Sequence, residues 1–173
     1  MQLDSGEAVT LSQEELRLSF QPQRVTTMFV GESVPHGGTF FYQRDSVLYR
    51  ATQEAFGGPD DFLIWFRDEG FYLVDLVPYP INHIRERSLR NHHRSEAVPS
   101  LASLLALHKP EAVVILMKAI KKMVVQAMVQ ADMSNVPYFS VPFPGRFHRQ
   151  RFLDEIQAII PKLPRVNSGG GPD

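Results

Sequence analysis

Thr26-Thr27-Met28-Phe29-Val30, followed by Gly31, is the stretch that decides the fold. Its β-branched and apolar residues show no polar alternation, which describes a strand buried on both faces, and Gly31 is expected to stop it. Working outward, Phe71-Tyr72-Leu73-Val74 repeats the pattern and is expected to end at Asp75. Ala112 to Leu116 forms a third such run, and Pro137 to Val141 a weaker fourth. Helical patterns lie between them. One runs from about Leu48 to Phe56. Another is opened by Pro59-Asp60-Asp61, carries Phe62, Leu63, Trp65 and Phe66, and is closed by Gly70. Ser100 is read as the cap of a helix through Leu107. The next places Ile120, Met123, Val124, Ala127 and Met128 on one face, and the last buries Phe152, Ile156, Ile159 and Ile160. Ser12 with Glu15 reads as a capping box opening a short first helix. The basic run from His83 to Arg94 is expected to be exposed loop or helix end.

Strands buried on both faces and alternating with helices predict an α/β fold. The expected form is a three-layer α/β/α sandwich around a short, mainly parallel four-stranded sheet. The chain's 173 residues suit one domain, read as residues 1–166, with the glycine-rich segment 167–173 as a flexible tail. The absence of cysteine excludes disulfides, thiolate catalysis and cysteine-held zinc or iron–sulfur sites. No cofactor or metal is expected. The longest apolar run, Ala112 to Met117, is too short to cross a bilayer, and the first residues lack the features of a signal peptide. A cytoplasmic or nucleoid-associated monomer is expected, nuclear in a eukaryote.

The net charge of −1 conceals an asymmetry. Residues 1–80 carry 5 Lys/Arg against 12 Asp/Glu, whereas residues 81–173 carry 13 against 7. The basic residues cluster at His83–Arg94, at Lys118, Lys121 and Lys122, and at Arg146, Arg149 and Arg151. Three such clusters in one half fit a phosphate backbone, although each alone also fits a solvated surface.

Parallel sheets bind ligands outside the carboxyl ends of their strands. Here those ends are Gly31–Phe41, Asp75–His83, Met117-Lys118 and Pro142–His148, and they hold a large share of the unusual polar residues. The most informative segment is Phe29-Val30-Gly31-Glu32-Ser33-Val34-Pro35-His36-Gly37-Gly38-Thr39-Phe40-Phe41-Tyr42. It is neither a phosphate P-loop nor a dinucleotide fingerprint.

This segment resembles the first motif of the uracil-DNA glycosylase superfamily, in which a strand runs into glycine, an acidic or amide residue, a proline-containing loop and a base-stacking aromatic. Leu73-Val74-Asp75-Leu76-Val77-Pro78-Tyr79-Pro80-Ile81-Asn82-His83 is similar to the family's second-strand segment, and Val113–Leu116 with its following helix to the third unit. Phe143-Pro144-Gly145-Arg146-Phe147-His148 stands where the family's His-Pro-Ser loop enters the DNA groove. Residues 25–160 follow the family's order of elements. Four positions depart from it. Proline falls at Pro35, with Val34 in its usual place. Asp75 replaces the base-reading asparagine, Phe143 the histidine that stabilises the leaving base, and Gly145 the serine.

The resemblance implies a DNA base-excision glycosylase that hydrolyses the N-glycosidic bond of a flipped uracil or other deaminated base, with damaged DNA as its partner. Glu32 then supplies a carboxylate beside the developing sugar cation. His36 and His148 are the donors that could replace the missing histidine, and His83 is a further one. Phe40 or Phe41 is the stacking platform, Asp75 and Asn82 bind the base, and Arg146, Arg149 and Arg151 contact DNA. Each has a plainer reading: Glu32 as an exposed turn residue, the aromatics as core, the histidines as surface groups, Asp75 as a turn former at a strand end. Two rival functions stay open. One is a non-catalytic nucleic-acid-binding module of the same fold; the other is a small-molecule hydrolase using Glu32 and a histidine.

Overall fold

The computed structural model describes residues 11–166; the expected flexible tail at 167–173 lies outside the described residues. Four strands form one parallel sheet: β1 (Thr27–Ser33), β2 (Phe71–Val77), β3 (Ala112–Ile115) and β4 (Tyr138–Ser140), in the order β2-β1-β3-β4. The α/β sandwich is therefore present, and its sheet is parallel throughout.

Among the described residues seven α-helices surround the sheet: α1 (Gln13–Ser19), α2 (Val47–Ala55), α3 (Phe62–Asp68), α4 (Arg87–Glu96), α5 (Val98–His108), α6 (Lys121–Gln130) and α7 (Arg149–Ile159). The Ser12–Glu15 capping box opens α1 with both of its reciprocal hydrogen bonds. Phe29 and Phe71 project from one face of the sheet into an aromatic cluster with Phe56, Phe62, Trp65 and Phe66, which holds α2 and α3 there. Helix α7 packs on α2 in the same layer. The opposite face carries α5, whose His108 meets Tyr72 edge-on, with α4 and α6 packed beside it.

Four local expectations are corrected. Gly31 does not stop β1, which continues to Ser33. Asp75 does not end β2, which runs to Val77, because Gly31 and Asp75 are register partners inside the parallel ladder. Ser100 is not a cap. Helix α5 starts two residues earlier, with Pro99 in its first turn, where a missing N–H costs nothing. The basic run is not an exposed loop, since most of it forms α4, and Arg94 is 7% exposed.

The edge of β2 is closed by a side chain. The Tyr42 hydroxyl donates to Leu73 O at 2.8 Å and accepts from Leu73 N at 2.9 Å, so one buried phenol satisfies both backbone groups of that residue. Burial raises the Tyr42 phenol well above its ordinary range, which keeps its proton available for this bond.

Candidate functional site

Because all strands are parallel, their carboxyl ends meet at one edge, and a cavity of about 630 Å³ opens there. Its walls are mainly apolar, among them Val34, Phe40, Phe41, Leu73, Met117 and Phe143. That size and lining fit a small ligand held by a few polar groups. Glu32, Phe40, Phe41, Asp75, Asn82, Arg146 and Arg149 all line it, arriving from β1, β2, the segments that follow β1, β2 and β4, and the start of the helix Arg149–Ile159. His36, His148 and Arg151 are not among its lining residues.

Strand alternation divides the polar floor. Gly31 and Asp75 point to one face of the sheet and Glu32 to the other. Asp75 rests over Gly31: a Cβ built on the glycine would lie 2.8 Å from Asp75 Oδ1. Burial pushes the Asp75 carboxyl up to about 7. The Arg17 guanidinium opposes the shift, and the Glu32 charge adds to it. Near neutrality a substantial fraction of Asp75 is therefore protonated, and it then presents a donor as well as an acceptor. The same side chain borders a second, smaller cavity of about 270 Å³ beside Glu14 and Arg17.

Glu32 is 5% exposed and bound to two arginines of α4. Arg90 reaches it with Nε, 2.9 Å from Oε2, and with Nη2 on Oε1. Arg94 adds Nε, 2.7 Å from Oε2, and Nη2 on the same oxygen. Both carboxylate oxygens are occupied, so Glu32 is neither an exposed turn residue nor a free base. No local pattern around Glu32 marks these partners, which lie 58 and 62 positions away. The available signal was the spacing of Arg90 and Arg94, which puts two cations on one face of a helix.

Phe40 and Phe41 are each 3% exposed and pack edge-on against Tyr42 at 5.6 and 5.1 Å, so they serve the core while bordering the cavity. Asn82 spends its side-chain carbonyl on the His36 backbone N–H at 2.7 Å, which ties the loop after β1 to the loop after β2. Its amide NH₂ is then left as the donor. The His36 ring lies against His83, with ring centroids 4.4 Å apart, outside the cavity. His148 is exposed at the start of α7 and accepts from Phe152 N through its backbone carbonyl.

The cationic rim is partly neutralised. Arg149 pairs with Glu54, and Arg151 lies 3.6 Å from Glu155. Arg146 is exposed at the cavity, with no acidic partner among the described residues. Beside it Phe147 is 88% exposed, the most exposed large hydrophobic side chain of the described residues. Nothing in the local sequence of the Phe143–His148 loop marks Phe147 as the side chain turned outward.

Neither the family models nor the curated proteins compared with this chain give a match.

Proposed function

We propose that this chain is a DNA base-excision glycosylase resembling the uracil-DNA glycosylase superfamily, acting on a deaminated base turned out of the DNA. One observation carries the reading: Asp75, Asn82, Phe40, Phe41 and the Phe143–Arg146 loop converge from separate strand ends on one apolar cavity, where Arg146 has no acidic partner among the described residues and the next residue, Phe147, is exposed.

Each part has a physical use in that reaction. Extruding a base requires something to fill its place in the stack, and Phe147 is an aromatic free of protein packing. Arg146 supplies a phosphate contact next to it. Inside the cavity, uracil offers a carbonyl acceptor beside an N–H donor. Protonated Asp75 matches that pair, whereas ionised Asp75 would oppose the carbonyl. The Asn82 amide adds a second donor. The test is single-turnover release of bases from oligonucleotides bearing uracil, hypoxanthine, xanthine or a mismatch, read as strand cleavage by alkali at the abasic product.

A second reading, the non-catalytic binding module, is favoured by the state of Glu32. With four guanidinium contacts from Arg90 and Arg94 on its two oxygens, that carboxylate is a weaker base towards an attacking water than a free one. Salt-dependent DNA binding without base release would select it. The small-molecule hydrolase is less supported, since Glu32 borders the cavity and no histidine is among its lining residues.

A further inference from the structure

Arg90 reaches the cavity with only part of its guanidinium spent. Nε and Nη2 are engaged with Glu32, Nη1 has no acceptor among the described residues, and the side chain is 24% exposed on a residue that lines the cavity. Arg94, deeper, gives its remaining nitrogen, Nη1, to Asn91 Oδ1 at 2.7 Å, and its Nη2, already on Glu32, also meets Met117 Sδ at 3.8 Å. Two guanidinium groups share one carboxylate, so the cluster carries an excess positive charge. Arginine stays protonated at any working pH, and its planar fork is fixed here by a bidentate pair. Against walls such as Phe41, Leu73 and Met117 that charge acts at low dielectric and needs little reorganisation. Among the cations that line the cavity, Arg149 is paired with Glu54 and Arg146 lies exposed at the rim, which leaves Arg90 for the interior.

We infer that Arg90 is the group that takes up the negative charge of the departing base, and that Glu32 is a positioning residue holding Arg90 rather than the base that activates water. The inference rests on the glycosylase reading. It supplies the charge stabilisation that neither Phe143, at the histidine's place, nor the histidines outside the cavity can give. In the reaction the C1′–N bond breaks with its electron pair leaving on the base, and the Arg90 N–H groups receive that charge. Water oxygen then bonds to C1′ and sheds a proton, and the base anion is protonated, giving free base and a hydroxylated abasic sugar.

The test compares single-turnover excision of uracil and of 5-fluorouracil, whose anion is the better leaving group, by the wild type and by Arg90→Met, Arg90→Lys and Glu32→Gln. An anion stabiliser matters most for the poorer leaving group. Arg90→Met is expected to lose about 10²-fold on uracil and clearly less on 5-fluorouracil, with Arg90→Lys intermediate. Glu32→Gln, which loosens Arg90 without removing it, should show the same dependence on the base. Equal losses on the two bases, or none, would overturn the inference, and Arg90→Lys decides the matter if Arg90→Met does not fold. If the wild type excises neither base, nor hypoxanthine, xanthine or a mismatched base, the glycosylase reading fails by itself. The anion site is then decided by calorimetric titration of the two free bases at rising pH: tighter binding of 5-fluorouracil that disappears in Arg90→Lys supports it, and no preference overturns it.

Discussion

Gly31 and Asp75 are register partners on adjacent parallel strands, and a single methyl group on Gly31 would press on Oδ1 of Asp75 at 2.8 Å. Gly31 has ordinary strand geometry, so space and not backbone conformation requires glycine there. The obstructing atom is the end of a side chain, which can swing away. Gly31→Ala is therefore expected to melt within about 3 °C of the wild type, a change of about 1 kcal/mol or less, while shifting the base preference in the excision assay. Unchanged preference with unchanged stability would show that the Asp75 carboxyl does not read the base.

Asp75 also sets a pH dependence of stability. Its carboxyl titrates near 7 in the folded chain and near 4 when unfolded. The stability it contributes is fully present below about pH 4 and is lost as pH rises through about 7, because ionising the carboxyl in its buried site is unfavourable. Asp75→Asn removes that titration. The melting temperature of the variant relative to the wild type should rise by roughly 5–10 °C between pH 5 and pH 8, measured by calorimetry at both values. An equal difference at the two pH values would contradict the shift.

Glu32 is the counter-ion that Arg90 and Arg94 share, and Arg94 is buried with it. Glu32→Ala leaves Arg94 buried without its counter-ion, at an expected cost of about 3–5 kcal/mol in denaturant unfolding. Glu32→Met combined with Arg94→Met removes both members of the buried pair and should recover part of that loss. Additive losses would show that the pair is not coupled.

Tyr42→Phe strips one hydroxyl from two buried hydrogen bonds at Leu73. The expected cost is about 1–3 kcal/mol, with faster amide exchange at Leu73. A melt and exchange rate equal to the wild type would remove Tyr42 from the account of the sheet edge.

At the rim, Arg149 and Arg151 already have acidic partners, while Arg146 has none among the described residues. Arg146→Ala should weaken DNA binding across sequences and lower the salt slope by about 1. Phe147→Ala should cost about 1–3 kcal/mol of binding with the salt slope unchanged. Arg149→Ala with Arg151→Ala should flatten the slope less than Arg146→Ala alone. The reverse order would assign the phosphate contacts to α7.

The sheet and its helices were legible because buried strands and amphipathic helices carry their period in the chain itself. Strand ends were less so. Gly31 and Asp75 are local stop signals, yet pairing between strands 44 positions apart carries both strands past them. The convergence of Glu32, Asp75, Asn82 and the Phe143–Arg146 loop followed from one rule about parallel sheets and needed no side-chain detail. What lay outside local reading was charge compensation. Arg90 and Arg94 sit in a run that resembles a solvated face, and only tertiary packing reveals that they belong to Glu32. Phe147 is the converse case, an apolar residue that the chain turns outward.

Base release decides the central claim most directly. Single-turnover incubation of the wild type with the oligonucleotide panel, followed by alkali, is predicted to cut the strand at uracil or another deaminated base, with the rate reduced in both Asp75→Ala and Arg90→Met. Salt-sensitive binding of the same oligonucleotides with no cleavage at any base would contradict the glycosylase account and leave a binding module in its place.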